Sequence, residues 1–296
     1  MEGNTKLNSV SKSRWLLYAL VTTVFWGVWG ALIEIPGRAG FPPTLVYIVW
    51  SLTMIPCALV AMSIIRWKFE FNFKSIMYGM LIGLTGAGGQ IILFQALASG
   101  PAYLVFPIIS LSPTITVLLS VFFLKETTTK KHWVGIIFAL VAIVMMSFQK
   151  PDGNAINGYS WLIFAILVFL AWGIQAFFMK KANNSMKAEN IFFYMTVSGV
   201  LLIPVAYFMT DMTQEINWGF KGPYLAALVS ILNSVGALTL VYAIRYGKVI
   251  IVAPLTNAVS PIITVILSLL IYLVVPNPLI MIGIAIALIS VYLMAE

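Results

Sequence analysis

The chain has 296 residues, 61% of them hydrophobic and 9% charged, with a mean hydropathy of +1.01. Soluble domains carry about 25% charged residues, so a soluble globular protein is excluded and a polytopic membrane protein is expected. The formal charge of +8 does not indicate a nucleic-acid binder, because the basic residues are spread through short loops between apolar runs instead of covering one face.

Taken in order, residues 1–14, with Lys6, Lys12 and Arg14, precede an apolar run from Trp15 to Ile35. That run is longer than the h-region of a signal peptide and lacks a small-residue cleavage site, so it reads as an uncleaved first span behind a cytoplasmic tail. Nine further runs of about span length follow: Thr44 to Ile65, Ser75 to Leu97, Tyr103 to Leu124, His132 to Phe148, Ser160 to Lys180, Asn190 to Thr210, Gly222 to Ile244, Val249 to Leu273 and Pro278 to Ala295. Turn-forming residues separate them, among them Pro36-Gly37, Ser99-Gly100-Pro101, Pro151-Asp152-Gly153, Gly247-Lys248 and Pro276-Asn277-Pro278. The expected fold is an all-α integral membrane protein of ten transmembrane helices. An external linker at 149–159 divides residues 15–148 from residues 160–296, and no loop is long enough for a separate soluble domain.

The two halves are copies of each other. Pro107 to Ser120 (PIISLSPTITVLLS) returns as Pro254 to Ser268 (PLTNAVSPIITVILS), and with Pro113 laid on Pro261, an offset of 148, six of eight positions are identical. Trp26-Gly27 pairs with Trp172-Gly173, Ile55-Pro56 with Ile203-Pro204, and Gly100 with Gly247. Gly135, Ala139 and Ala142 pair with Gly283, Ala287 and Ser290, a stripe of small residues that permits close packing either between the repeats or in a homodimer. Each copy holds five spans, an odd number, so the second crosses the membrane in the opposite sense and the repeats are inverted. With the N-terminus inside, fourteen of the seventeen Lys and Arg are cytoplasmic and only Arg38, Lys150 and Lys221 are outside. That bias satisfies the positive-inside rule with both termini in the cytoplasm. Inverted repeats with prolines at corresponding places mark a secondary transporter whose site lies between the repeats near the midplane. Pro107, Pro113, Pro254 and Pro261 are the expected hinges, because each removes a helical hydrogen bond and frees a carbonyl.

Enzyme chemistry finds no support. There is no GxxxxGK[ST] loop and no HExxH; the one histidine, His132, lies beside Lys130 and Lys131, and the one cysteine, Cys57, sits in an apolar run. No cofactor or metal is expected. The glycines from Gly79 to Gly89 lie inside a continuous apolar run and read as helix-packing positions. What remains are uncharged polar and aromatic residues at membrane depth, which must face inward to avoid lipid. Trp26, Trp29, Trp50, Gln90, Ser110, Thr114, Trp172, Gln175, Asn233 and Asn257 are the candidate substrate contacts. Ser110 and Asn257 each follow the first proline of the repeated stretch by three residues, which makes them equivalent. The amides serve equally well as interhelical hydrogen bonds. Glu34 is the one carboxylate expected inside the membrane and the proton-coupling candidate, although it also suits an exposed i, i+4 pair with Arg38. Glu70, Glu126 and Glu189 fall in cytoplasmic loops. Span six carries no matching acid, so a symmetric two-acid relay is excluded.

These residues resemble the drug/metabolite transporter superfamily, specifically its ten-span members with two EamA-like repeats. The likeness rests on the five-plus-five inverted spans, the two Trp-Gly pairs and the spacing Gly100 to Pro107 and Gly247 to Pro254. It also rests on the Pro113/Pro261 motif and on Leu124-Lys125-Glu126 closing span four, and it covers the whole chain. It implies a cavity lined by spans one to four and six to nine, with spans five and ten peripheral. One departure is that the second copy reads Leu273-Val274-Val275-Pro276 where the first has its Lys-Glu ending. Nucleotide-sugar carriers would place basic residues in the cavity, and none lies at depth. The expectation is a transporter or facilitator of a small uncharged or zwitterionic metabolite, such as an amino acid, working by alternating access in a bacterial inner membrane. A sugar or polyol carrier, and a membrane sensor or structural protein without flux, are the alternatives.

Overall fold

A chain this apolar must satisfy its backbone polar groups internally, and helices do so within each segment. The computed structural model describes residues 2–99, 102–146, 159–272 and 277–295, and these form helices with no strand among them. The first half contributes α1 (Glu2–Leu32), α2 (Glu34–Arg38), α3 (Pro43–Ile64), α4 (Phe73–Ser99), α5 (Ala102–Ser110), α6 (Ser112–Phe123) and α7 (Lys130–Met146). The second contributes α8 (Ser160–Asn183), α9 (Ala188–Leu201), α10 (Ile203–Phe208), a π-helical turn (Phe220–Tyr224) leading into α11 (Leu225–Tyr246), α12 (Val249–Tyr272) and α13 (Pro278–Ala295). Seven stretches among the described residues are long and apolar enough to cross a membrane; Ile108–Phe123 and Pro278–Met294 are apolar but shorter. Most of the expected linker at 149–159 and the end of the ninth run, 273–276, lie outside the described residues. The expected N-terminal tail continues α1 back to Glu2.

The proline motif acts differently in its two copies. In the first, the helix breaks at Leu111, and Pro113 opens α6 within its first two positions, where a missing N–H leaves no bond unmade. Short-range bonds from Leu111 N to the Ile108 carbonyl (3.3 Å) and from Thr114 N to the Leu111 carbonyl (2.8 Å) tighten the break. In the second, α12 runs unbroken through both Pro254 and Pro261. The expected matching pair of breaks is therefore found on one side only. The physical difference is one residue: the prolines are six apart in the first copy and seven, close to two full turns, in the second. A similar inequality separates Pro56, inside the continuous α3, from Pro204, which starts α10 after a break at Leu202.

The halves interlock with near two-fold symmetry. α1 packs on α11 and α12, and its counterpart α8 packs on α4 and α6. The contacts repeat in detail. Thr116 Oγ1 donates to the Gly173 carbonyl at 2.9 Å, and Thr264 Oγ1 donates to the Gly27 carbonyl at 2.9 Å. A Cβ on Gly27 would stand 2.4 Å from Ile263 Cβ, and one on Gly173 2.5 Å from Ile115 Cβ. The Trp-Gly pairs are thus the points where each half lets a proline-bearing helix of the other approach.

α7 and α13 pack on each other at the periphery. Gly135 faces Met294, Leu293 and the Ser290 carbonyl, while Gly283 faces Met146, Met145 and the Ala142 carbonyl, with Ala139, Ala142, Ala287 and Ser290 fully buried. The small-residue stripes therefore meet inside one chain, and the outward faces of the two helices carry Ile137, Val141, Ile282 and Ile289. The glycines of α4 also serve packing: Gly79 lies against Tyr194, Gly83 against Ser198, Gly86 against Gln175 and Gly89 against Trp172.

Candidate substrate cavity

Between the halves lies a cavity of about 230 Å³, a volume suited to a small metabolite rather than a drug-sized ligand. Its walls come from α1, α3, α4 and α6 of the first half and from α8, α9, α11 and α12 of the second. Of the sequence-derived contacts, Trp26, Trp29, Trp50, Gln90, Trp172, Gln175, Asn233 and Asn257 line it, together with Pro113, one of the expected hinges. Among the described residues that line it, none is ionisable.

The tryptophans are held by their indole N–H groups. Trp26 donates to the Asn233 carbonyl (3.2 Å) and Trp172 to the Gly86 carbonyl (3.3 Å), each reaching across to the other half. Each ring lies on a glycine of that half, Gly236 for Trp26 and Gly89 for Trp172, where a Cβ would collide with the indole. Trp50 donates to Asn233 Oδ1 at 2.8 Å, which fixes the Asn233 side chain with its NH₂ as the remaining group. The Trp29 N–H is buried without a partner among the described residues.

The amides divide by role. Asn233 binds two tryptophans and is partly a structural joint. Asn257 Nδ2 donates to the Ala253 carbonyl of its own helix (2.9 Å), leaving its Oδ1 uncommitted. Gln90 and Gln175 line the cavity, and among the described residues neither carboxamide has a protein partner, so both are open to a ligand. Pro261, lacking an N–H, cannot supply the i+4 bond to the Asn257 carbonyl, which adds an acceptor on the same wall.

Ser110, before the Leu111 break, and Thr114, after it, do not line the cavity; Ser112 and Thr116 of α6 do. Matching Ser110 to Asn257 uses the Pro107/Pro254 register, an offset of 147, whereas the Pro113/Pro261 register of 148 governs α6 and matches Ser112 to Ser260. The one-residue difference between the copies lies between the two prolines, so registering from Pro113 finds the lining serine. The side chains of Pro107 and Glu34 lie outside the described residues; Glu34 opens α2.

The acids show one correction. Glu189, expected in a loop, occupies the first turn of α9 and is 8% exposed, where its Oε1 accepts a 2.5 Å hydrogen bond from Tyr242 Oη. Tyr242 stacks on Tyr18 of α1 (ring centroids 5.0 Å), and Tyr18 stacks on Tyr246 (5.8 Å). The signal was available in sequence, since an acid in the first turn suits the positive end of a helix. Glu70 is a loop residue as expected, tied to α9 through Lys187 N, which donates to its Oε2 at 3.1 Å.

The EamA-like transporter family matches residues 13–148 and again residues 159–295. The chain belongs to that family. It carries two EamA units, as the internal repeat requires. An uncharacterised protein of Methanocaldococcus jannaschii is 29% identical over 135 residues, 46% of this chain and 97% of its own length. A probable 4-amino-4-deoxy-L-arabinose-phosphoundecaprenol flippase subunit, ArnE, of Proteus mirabilis is 28% identical over 109 residues, 36% of this chain and 96% of its own. Both relatives thus match almost end to end within less than half of this chain. Protein LicB of Haemophilus influenzae is 24% identical over 188 residues, 61% of this chain and 62% of that protein. A solved crystal structure superposes with a TM-score of 0.74, covering 94% of this chain and 97% of its own at 16% identity, which is a likeness of fold.

Proposed function

We propose that this EamA protein is a secondary transporter of a small metabolite without net charge, working by alternating access around the cavity between its two halves. The observation that carries the reading is the cavity itself: four tryptophans, two glutamine carboxamides and, among the described residues, no partner for either carboxamide and no ionisable side chain in the walls. A cavity whose described walls carry no charge binds a neutral molecule at less desolvation cost than an ion. The tryptophan faces suit an apolar or sugar face, and Gln90, Gln175, Ser112 and Asn257 suit the polar edges. The ten-span inverted arrangement accompanies this reading, with both termini cytoplasmic in a bacterial inner membrane, as the charge of the loops favours.

A sugar or polyol is the second reading. Stacking surfaces beside neutral amides favour it, and the relative ArnE is named for a lipid-linked amino sugar, 4-amino-4-deoxy-L-arabinose-phosphoundecaprenol. The test is flux of labelled neutral amino acids, sugars and polyols into proteoliposomes, with a pH gradient imposed and then collapsed. Saturable counterflow of one class is expected, weakened by Gln90→Ala and Gln175→Ala; absence of counterflow for all of them would leave a binding or structural role. Loss of gradient dependence in Glu34→Gln would assign proton coupling to Glu34, and unchanged dependence would remove that role.

A further inference from the structure

Outside the cavity, a cluster of partly buried charge lies where α6 ends near the ends of α8 and α11 and the start of α12. Lys125 has φ +53°, a left-handed conformation that residues with a Cβ rarely adopt. There the backbone N–H groups of Leu124 and Glu126 both donate to the Ser120 carbonyl, at 3.1 and 3.2 Å. The reversal turns Glu126 onto the start of α12. Its carboxylate accepts from Val249 N (3.4 Å) and Ile250 N (3.2 Å), donors that a helix start leaves without internal partners and where its dipole favours an anion.

Lys180, at the end of α8, stands 4.0 Å from that carboxylate. It donates to the Ile244 and Gly247 carbonyls at the end of α11, at 3.0 and 2.6 Å. Lys248 returns a bond to the Thr127 carbonyl. The Glu126 and Lys180 side chains are 10% and 16% exposed. One carboxylate from the first half thus fastens the ends of three helices of the second. The cluster sits at a mouth of the cavity: Lys180 is one turn beyond Ala176 and Ile250 one turn before Ala253, and both alanines line it.

We propose that Glu126 is a positioning residue that latches the two halves at this basic end, and that the latch is one-sided. In the second copy the place of Glu126 falls in Leu273-Val274-Val275-Pro276, which has no acid. The Trp26/Trp172 register, an offset of 146, sets Glu34 opposite Lys180, so the sign at that position is reversed too. The inference rests on the transport reading in that a latch has work to do only if the cavity opens at this end.

The test measures opening without a substrate. In a Cys57→Ser background, Ala176→Cys is labelled by a membrane-impermeant thiosulfonate applied to either side of oriented vesicles, with Glu215→Cys in the loop at the opposite end reporting orientation. Glu126→Ala is expected to raise labelling from the basic end about tenfold, the loss of one charged hydrogen-bond set, with no rise from the other end. Exchanging Glu126→Lys with Lys180→Glu should not restore closure, since the helix start still requires an anion. Unchanged labelling in folded Glu126→Ala, an equal rise from both ends, or restoration by the exchange would each overturn the proposal. Because labelling needs no flux, a failed latch and a failed transport reading are told apart.

Discussion

Adding one methyl group at Gly27 tests the interlock of the halves. An alanine Cβ there would stand 2.4 Å from Ile263 Cβ, 2.7 Å from its Cγ2 and 2.9 Å from the Ser260 carbonyl oxygen. Carbon atoms rest at about 3.5–4.0 Å, and both main obstacles are rigid, so α1 and α12 must separate by roughly 1 Å. Overpacking of this kind costs about 1–3 kcal/mol. The separation also stretches the 2.9 Å bond from Thr264 Oγ1 to the Gly27 carbonyl, adding the ~0.6 kcal/mol typical of an interhelical bond in a membrane. Gly27→Ala should therefore lose roughly 2–3 kcal/mol. Gly173→Ala meets Ile115 Cβ at 2.5 Å and the Ser112 carbonyl at 2.7 Å, and should lose the same within about 1 kcal/mol. The assay is unfolding in detergent followed by tryptophan fluorescence. Gly88→Ala, whose nearest atom is 4.0 Å away, is the control and should be neutral or stabilising through helix propensity. Ile263→Ala should rescue Gly27→Ala only in small part, because it removes the Cγ2 at 2.7 Å but keeps the Cβ at 2.4 Å. Wild-type stability in either glycine variant, or a large loss in one and none in the other, would refute a two-fold interlock.

Gly86→Ala should behave differently, since its Cβ meets the far end of a flexible side chain, Gln175 Nε2 at 2.2 Å. Unfolding should change little while the displaced carboxamide reduces substrate flux by roughly 2- to 10-fold, the worth of one neutral hydrogen bond; unaltered flux would remove Gln175 from the site. Ser112→Ala should lower flux where Ser110→Ala does not, and the reverse order would restore the Pro107/Pro254 register. Tyr242→Phe strips the buried Glu189 carboxylate of its donor and should destabilise by roughly 1.5–3 kcal/mol, with Glu189→Gln in the same chain recovering part of the loss.

The sequence made the frame legible because duplication leaves the same packing residues at a constant offset. Trp26-Gly27 and Trp172-Gly173 could be matched by eye, and the structure gives them one job twice: the indole seats on a glycine of the other half and the glycine receives an isoleucine. Lipid exclusion pointed the amides inward, and Gln90, Gln175, Asn233 and Asn257 share one cavity. Three features are only partly legible, for physical reasons. Ser110 is the equivalent of Asn257 in the Pro107/Pro254 register, and the single-residue length difference that brings Ser112 to the cavity falls between the two prolines. Glu189 stands where an acid suits the first turn of a helix, but its tyrosine partner is 53 residues away and leaves no local pattern. The task of Lys125-Glu126 depends on a left-handed residue and on helix ends brought together from the other half, none of which leaves a local pattern.

The interlock is two-fold, but the cavity walls are not. At the repeat offsets, Trp29 corresponds to Gln175, Gln90 to Ala237 and Asn233 to Gly86. Packing residues were kept in pairs because each half needs the same approach to the other, whereas a side chain facing the cavity is free of that constraint. Identical walls would offer a bound molecule two equivalent poses. Walls that set three tryptophans of the first half near Asn233, with Gln175 over Gly86 on the other side, give a molecule with one apolar and one polar face a single preferred pose. The same inequality reaches the ends of the bundle, where Lys180 answers to Glu34. On the proposed transport reading, such walls would let symmetric mechanics distinguish one side of a substrate from the other.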